Sequence, residues 1–597
     1  MRSKLGLDQG IVEECRQAAR QIADGVAERI AGRTSVSVER TVTRMLGVDG
    51  ADALEAPLPN VLVDHVHAAG GLDRGIAHWV GNAMIQTGHA PQRIAEAVSA
   101  GELDLLALEQ APEGAVRDRV TQESAARLAE IRARFSARRE RREQLGAGSE
   151  PLRYVLTATG NVYEDVVHAR AVAQAVGAGE LDLLAIERAD DERVRTAVRA
   201  ECERRIGEIS RRMADRRELC ERLGSGPQPL RYVLTATGNV YEDVVHARAV
   251  AQAGGDIIAV IRSTAQSLLD YVPYGPTTEG YGGTFATQAN FRIMREAMDE
   301  WSTEHGRYVR LSSFCSGLCM PEIAAMGAWE GFDNMVNDAL YGILYRDINV
   351  VRGLIDQRVS RMINGYFGVV INTGEDNYLR TADAIEAAPS VTASQFINHE
   401  LARASGVPDK QIGLGDAFEI DVPVTNGLLL EWAQAQLTRE LFPDCPVKYM
   451  PPTRHMDGNL FRTHAADALF NLVTIATGQG IQTIGVPTEG IFTPHIHDRV
   501  LGLQNVDYVF NAAKDLGEEI EFRTGGIIQT RAQEVLAGAH ELLGRIASTG
   551  LMEAIGDATF GDVSRAVEDG RGIDGIVQTA PGYVNPLIDL MQAESYA

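Results

Sequence analysis

Through the first hundred residues, apolar side chains recur at every third or fourth position. "IVEECRQAARQIADGVAERIAG" (11–32) keeps that period and predicts a helix, and a second helical stretch surrounds "GIAHWVGNAMIQTG" (75–88). Between them "EAPLPNVLVDH" (55–65) reads as a connector. Residues 1–100 are therefore expected to form a helical N-terminal region.

The next 128 residues hold a tandem duplication. "PLRYVLTATGNVYEDVVHARAVAQA" runs from Pro151 to Ala175 and again, letter for letter, from Pro229 to Ala253, an offset of 78. Upstream of each copy the two units have diverged: 101–150 and 179–228 agree at 24 of 50 positions. The diverged parts are rich in Arg and Glu with a helical apolar period, as in "ARLAEIRARFSARRERREQLG" and "RRIGEISRRMADRRELCERLG", and predict exposed amphipathic helices. Two units are too few for a solenoid. Constraint, recent conversion between copies and a sequencing artefact would all leave 25 identities.

From 229 onward the period changes. Short apolar runs alternate with helical segments, at "YVLTAT" (232–237), "IIAVIR" (257–262), "YVRLSS" (308–313), "FDNMVN" (332–337), "FGVVIN" (367–372), "QIGLGD" (411–416), "PVKYM" (446–450) and "IQTIGV" (481–486). Eight strand–helix alternations predict an α/β fold, a (β/α)8 TIM-type barrel over 229–530. A helical C-terminal tail follows over 531–597. Either copy of the repeat could supply the first strand. The second joins directly through "VYEDVVHARAVAQA" to "DIIAVIR", whereas the first would loop out 78 residues, a closure penalty of roughly 2–3 kcal/mol. The second copy is therefore assigned to the barrel, and 151–175, within the duplicated segment 101–228, to a spare strand and helix outside it.

Composition adds limits. The chain has 597 residues and a formal net charge of −25, which argues against nucleic acid or an anionic membrane as the main partner. The start "MRSKLGLDQG" lacks an apolar signal core, and no apolar run approaches a membrane span, so a cytoplasmic protein is expected. Six cysteines in this length make no disulfide framework, and "CSGLC" lacks metal-ligand spacing. Only four residues are lysine: Lys4, Lys410, Lys448 and Lys514.

In such a barrel chemistry sits at the carboxyl ends of the strands. Arg262 and Ser267 follow the second strand, Ser312, Ser313 and Ser316 close the third, and Tyr341 and Arg346 follow the fourth. Asp376 follows the fifth and Lys448 lies on the seventh. Arginine, serines and glycine-rich turns suit a phosphate monoester, and a tyrosine ring can stack on a flat heteroaromatic. Asp376 and Lys448 could read the ammonium and carboxylate of an amino acid. Each also has a structural reading: serines cap helices, arginines form rim ion pairs and a tyrosine packs.

From "RYVLTATGNVYEDVVHARAVAQAGGDIIAVIRSTAQSLLDYVPYGPTTEGYGGTFATQANF" through "NDALYGILYRDIN", "INTGEDNY" and "PVKYMPPTRHMDGN", the sequence closely resembles the large (alpha) subunits of the lysine 5,6-aminomutase family. The resemblance implies a radical isomerase using adenosylcobalamin and pyridoxal 5'-phosphate to move the terminal amino group of D-lysine or L-β-lysine to the adjacent carbon. It implies that Arg262, Ser267 and Ser316 hold the cofactor phosphate and that Tyr341 stacks on the pyridine ring. Arg346 and Asp376 would lie near the substrate amine and the cofactor, Tyr341 and Asp376 next to the reacting atoms, and Lys448 at the substrate carboxylate. The Asp-x-His-x-x-Gly loop that ligates cobalt is missing, since "DHVHAAG" (64–70) has the wrong spacing and reads as the start of a surface helix. A Schiff-base lysine is also missing. Both are expected on a beta subunit with a Rossmann-like cobalamin domain, in an alpha2beta2 assembly. The duplication departs from the family pattern. The rival readings are an ornithine 4,5-aminomutase-like large subunit without its cobalamin domain, an inactive scaffold subunit, and a metal-dependent hydrolase built on His495 and His497.

Overall fold

The computed structural model describes residues 4–126, 229–261, 265–373, 384–415, 420, 424–451, 456–560 and 563–595. The first copy of the doubled stretch, with the spare strand expected there, lies outside these residues, as do Arg262 and Asp376.

Ten strands are described. β1 (Arg33–Ser35) and β10 (Ile576–Gln578) form a two-stranded antiparallel sheet. β2 (Leu230–Leu234), β3 (Ile257–Ile261), β4 (Arg310–Phe314), β5 (Asn334–Val336), β6 (Val370–Thr373), β7 (Ile412–Leu414), β8 (Lys448–Tyr449) and β9 (Ile481–Thr483) form one parallel sheet in the order β7-β6-β5-β4-β3-β2-β9-β8. A parallel bridge between Gly415 and Lys448 joins the two ends and closes the barrel. The eight strands fall within or next to the eight predicted runs. β8 keeps only two residues because Pro446 and Pro451 flank it and neither has an N–H to give a ladder.

The second copy of the repeat supplies the first barrel strand. Tyr232 stands opposite Ile257 on one side and Thr483 on the other, so β2 is paired along both edges. The following helix, Val240–Gln252, starts where the Asn239 side chain accepts from the Tyr241 N–H, and leads directly to β3.

The terminal segments wrap this barrel. The helix Gln9–Ile30 packs against the helices Ala384–Ala404 and Ile527–Thr549, and Val36–Met45 packs on Met320–Glu330. A second apolar core joins Leu62, Val66, Ile76 and Val80 to Leu105, Val116, Val120 and Val584. Gly81 is required there, because a Cβ would come within 2.4 Å of Val120.

Three expectations need correction. The stretch read as a connector contains the helix Leu58–Ala68; its prolines stand at or before the first turn, where a missing N–H costs nothing. "DHVHAAG" is the end of that helix, not a start: Asp64 pairs with Arg40 at 2.9 Å and His67 Nε2 lies 3.1 Å from the Asp574 carbonyl. The tail is helical only in part, since β10 returns to pair with β1 and the Arg571 N–H donates to the Asp347 carbonyl at 2.6 Å. Among the described residues, no helix is long and apolar enough to cross a membrane.

Candidate functional site

The loops after β3, β4 and β5 converge at the carboxyl end of the barrel. β3 runs into a short 3-10 turn, Ala265–Leu268, which buries Ser267. After β4 the chain passes through Ser316 to Gly317, whose φ is +90°. A Cβ on Gly317 would stand 2.5 Å from the Ser267 Cα and 2.8 Å from its carbonyl oxygen. Only glycine allows both this backbone conformation and this approach. A Cβ on Gly342, next to Tyr341, would in turn lie 3.9 Å from the Gly317 Cα. Ser267, Ser316 and Tyr341 thus share one corner.

Tyr341 and Arg346 are both on the helix Ala339–Arg346, which starts where Asp338 accepts from the Leu340 N–H. Arg346 folds back along it. Its Nη2 donates to the Tyr341 hydroxyl at 2.7 Å, and its Cζ lies 5.1 Å from the ring centroid. The Arg346 Nε is buried with no protein partner, a donor left over at this corner.

Lys448 is placed differently. It is buried inside the barrel, with Nζ 5.2 Å from the centroid of the Tyr232 ring. The Tyr232 hydroxyl in turn meets Ser312 Oγ at 3.1 Å. These contacts cross between strands that are not neighbours, so Tyr232, Ser312 and Lys448 all face inward. The register extends this face: Tyr232 is level with Thr483, Ser312 with Asn334, Val336 with Asn372, and Asn372 with Gly413. Barrel interiors are usually filled by branched apolar side chains. Here Leu230, Ile257, Ala259 and Ile481 fill one side, while amides, hydroxyls and a lysine line the other.

Sequence reasoning passed over two further groups. Asp270, three residues beyond Ser267, is held by two arginines: Arg40 Nη1 at 3.1 Å from the N-terminal region and Arg352 Nη2 at 2.9 Å from a barrel helix. Burial pushes the Asp270 carboxyl up, but Arg352 and Arg40 outweigh it and hold the group below its ordinary range. This clamp anchors the loop after β3. Asp467, on the helix Leu460–Thr477, stands against Gly485 beyond β9, and neither of its oxygens has a protein partner. Burial, with the nearby Glu489 charge, raises its pKa to about 8. The unfolded chain releases that proton near pH 4, so folding retains a proton between about pH 4 and 8 and stability falls as pH rises through that window. Asp467→Asn is expected to remove a slope of up to about 1.4 kcal/mol per pH unit there, read by urea unfolding from pH 5 to 8.5. An unchanged slope would contradict the assignment.

His495 is exposed and caps the helix Ile496–Ala512, its side chain accepting from that helix while Asp498 accepts from the His495 N–H. No group of three metal-ligating side chains occurs among the described residues.

Comparison with known proteins agrees along the whole chain. A family model described as the D-lysine 5,6-aminomutase TIM-barrel domain of alpha subunit matches residues 5–175 and again 170–590, so it restarts within the duplication. The lysine 5,6-aminomutase alpha subunit of Acetoanaerobium sticklandii is 46% identical over 589 residues, covering 99% of this chain and 98% of that protein. The same subunit from Fusobacterium nucleatum is 45% identical over 588 residues, covering 98% and 99%. The D-ornithine 4,5-aminomutase subunit beta of A. sticklandii is 30% identical over 276 residues, 46% of this chain and 37% of that protein.

Proposed function

The chain belongs to the lysine 5,6-aminomutase alpha-subunit family, and we propose from that premise that its barrel, over 229–530, is the catalytic half of an isomerase that moves the terminal amino group of lysine to the adjacent carbon. A separate beta subunit completes it. The observation that carries this reading is the meeting of three strand-end loops at Ser267, Gly317 and Gly342, with Tyr341 and Arg346 beside them.

That corner fits the phosphate and ring of pyridoxal 5'-phosphate. Two serine hydroxyls stand at loop backbones brought together by a glycine, the Arg346 Nε is an unpartnered buried donor, and an aromatic ring is held in place. Ser267 and Ser316, with Arg262, would donate to the phosphate, and Tyr341 would lie against the ring. When bound, pyridoxal 5'-phosphate would supply a conjugated system able to carry the migrating nitrogen through a radical shift, and adenosylcobalamin, brought by the beta subunit, would supply an organic radical. This chain's part is positional: Lys448 receives the substrate carboxylate, Asp376 the amine, and Arg346 fixes the Tyr341 hydroxyl. The barrel wall keeps water from the reacting atoms.

Ser267→Ala and Ser316→Ala are each expected to weaken pyridoxal 5'-phosphate binding by about 10-fold, and together by about 100-fold, because each removes a donor to a charged group. Titration of the cofactor into the assembled enzyme measures this. Affinity unchanged in the double variant would remove the phosphate from this corner.

A further inference from the structure

The inward polar face contains three side chains that the foregoing reading does not use. Asn372 is fully buried, and both its Nδ2 and its Oδ1 have no protein partner. Thr483 Oγ1 and Asn334 Oδ1 are likewise buried and unpartnered. Leaving such groups unpaired costs about 1–3 kcal/mol each, which a stable core avoids unless something else satisfies them.

Their placement is specific. Thr483 is on β9, next to the strand that carries Lys448. Asn372 is on β6, on the other side of β7 from Lys448. The inward position of β7 is Gly413, level with Asn372, and the next inward position, just past the strand, is Gly415, level with Lys448. A Cβ on Gly413 would come within 2.3 Å of Asn372 Nδ2. No side chain from β7 therefore stands between Asn372 and Lys448, although their strands are two spacings, about 10 Å, apart. The inner wall here carries no β7 side chain, so a recess between an ammonium on one side, an amide on the other and a hydroxyl beside them is what the register implies.

We propose that this recess is the substrate carboxylate pocket, in which Asn372 Nδ2 and Thr483 Oγ donate to the same carboxylate that Lys448 receives, and Gly413 keeps the way between them open. The proposal rests on the reading of Lys448 as the carboxylate residue. An amide and a hydroxyl placed to meet a carboxylate make the site specific for it, because a ligand without that group leaves them unpaired again.

The test uses the enzyme assembled with its beta subunit and two ligands, lysine and its carboxylate-free analogue 1,5-diaminopentane, with dissociation constants read by calorimetry. Asn372→Leu and Thr483→Val are each expected to weaken lysine by about 10-fold and to leave the diamine within two-fold. Asn372→Asp, which sets a second carboxylate against the first, should weaken lysine further, and Thr483→Ser should restore it. Equal losses for both ligands, or no loss for either, would overturn the proposal. Lys448→Ala, measured alongside, separates the two readings. If it selectively weakens lysine while the Asn372 and Thr483 variants do not, only the pocket is wrong; if it treats both ligands alike, the assignment of Lys448 has failed.

Discussion

Val233→Pro should leave no folded, soluble chain, whereas Val155→Pro, the same change in the other copy of the repeat, should be mild. Val233 is fully buried in β2, a strand paired on both edges. Proline there removes a ladder N–H and sets its ring against a neighbouring strand, at a cost of about 3 kcal/mol or more in a barrel that has no spare edge. The barrel's eight strand positions are all filled by residues from 230 onward. The same logic predicts that deleting 101–178 as one block is tolerated. That block contributes Leu105, Val116 and Val120 to the N-terminal core. The diverged unit downstream carries Leu183, Val194 and Val198 at the same offset, so it can supply all three contacts. Soluble yield, thermal unfolding and turnover of the three variants test this together. A mild Val233→Pro beside a severe Val155→Pro would place the first copy in the barrel.

Lys448→Ala should raise the KM for lysine by about 100-fold. Truncating one partner of a buried charge pair costs about 2–5 kcal/mol, and 3 kcal/mol is roughly that factor. The effect should fall on substrate affinity and spare the cofactor corner, since Lys448, on β8, is three strands around the barrel from β3, which leads to Ser267, and its Nζ lies against Tyr232. Pyridoxal 5'-phosphate titration of the variant should therefore match the parent. A lost cofactor spectrum with an unchanged KM would give Lys448 a different role.

The barrel was legible because each strand is a short apolar run set between helical periods, and because the second copy of the repeat runs without interruption into "DIIAVIR". Ser267, Ser316 and Tyr341 were legible as strand-end residues, and the structure brings them to one corner. Other features depend on information that no local pattern carries. β1 and β10 are three residues each and lie more than 500 positions apart. The helix Leu58–Ala68 was hidden by prolines that, in its first turn, are harmless. The inward polar face could not be read because alternation separates the two faces of a strand but does not say which faces inward until the register is known. Gly413 and Gly415 stand in the predicted run "QIGLGD", but only the register shows that they line the interior. The Arg40–Asp270–Arg352 clamp joins three distant segments by charge alone.

As one half of a lysine aminomutase, this chain should depend on its partner for turnover. The most direct measurement is turnover of lysine by the purified chain with both cofactors, with and without the beta subunit, with 2,5-diaminohexanoate followed by mass spectrometry. Product is expected only when both subunits are present, and none from this chain alone. Product from this chain alone, or none from the assembled pair while its cofactors are bound, would contradict it.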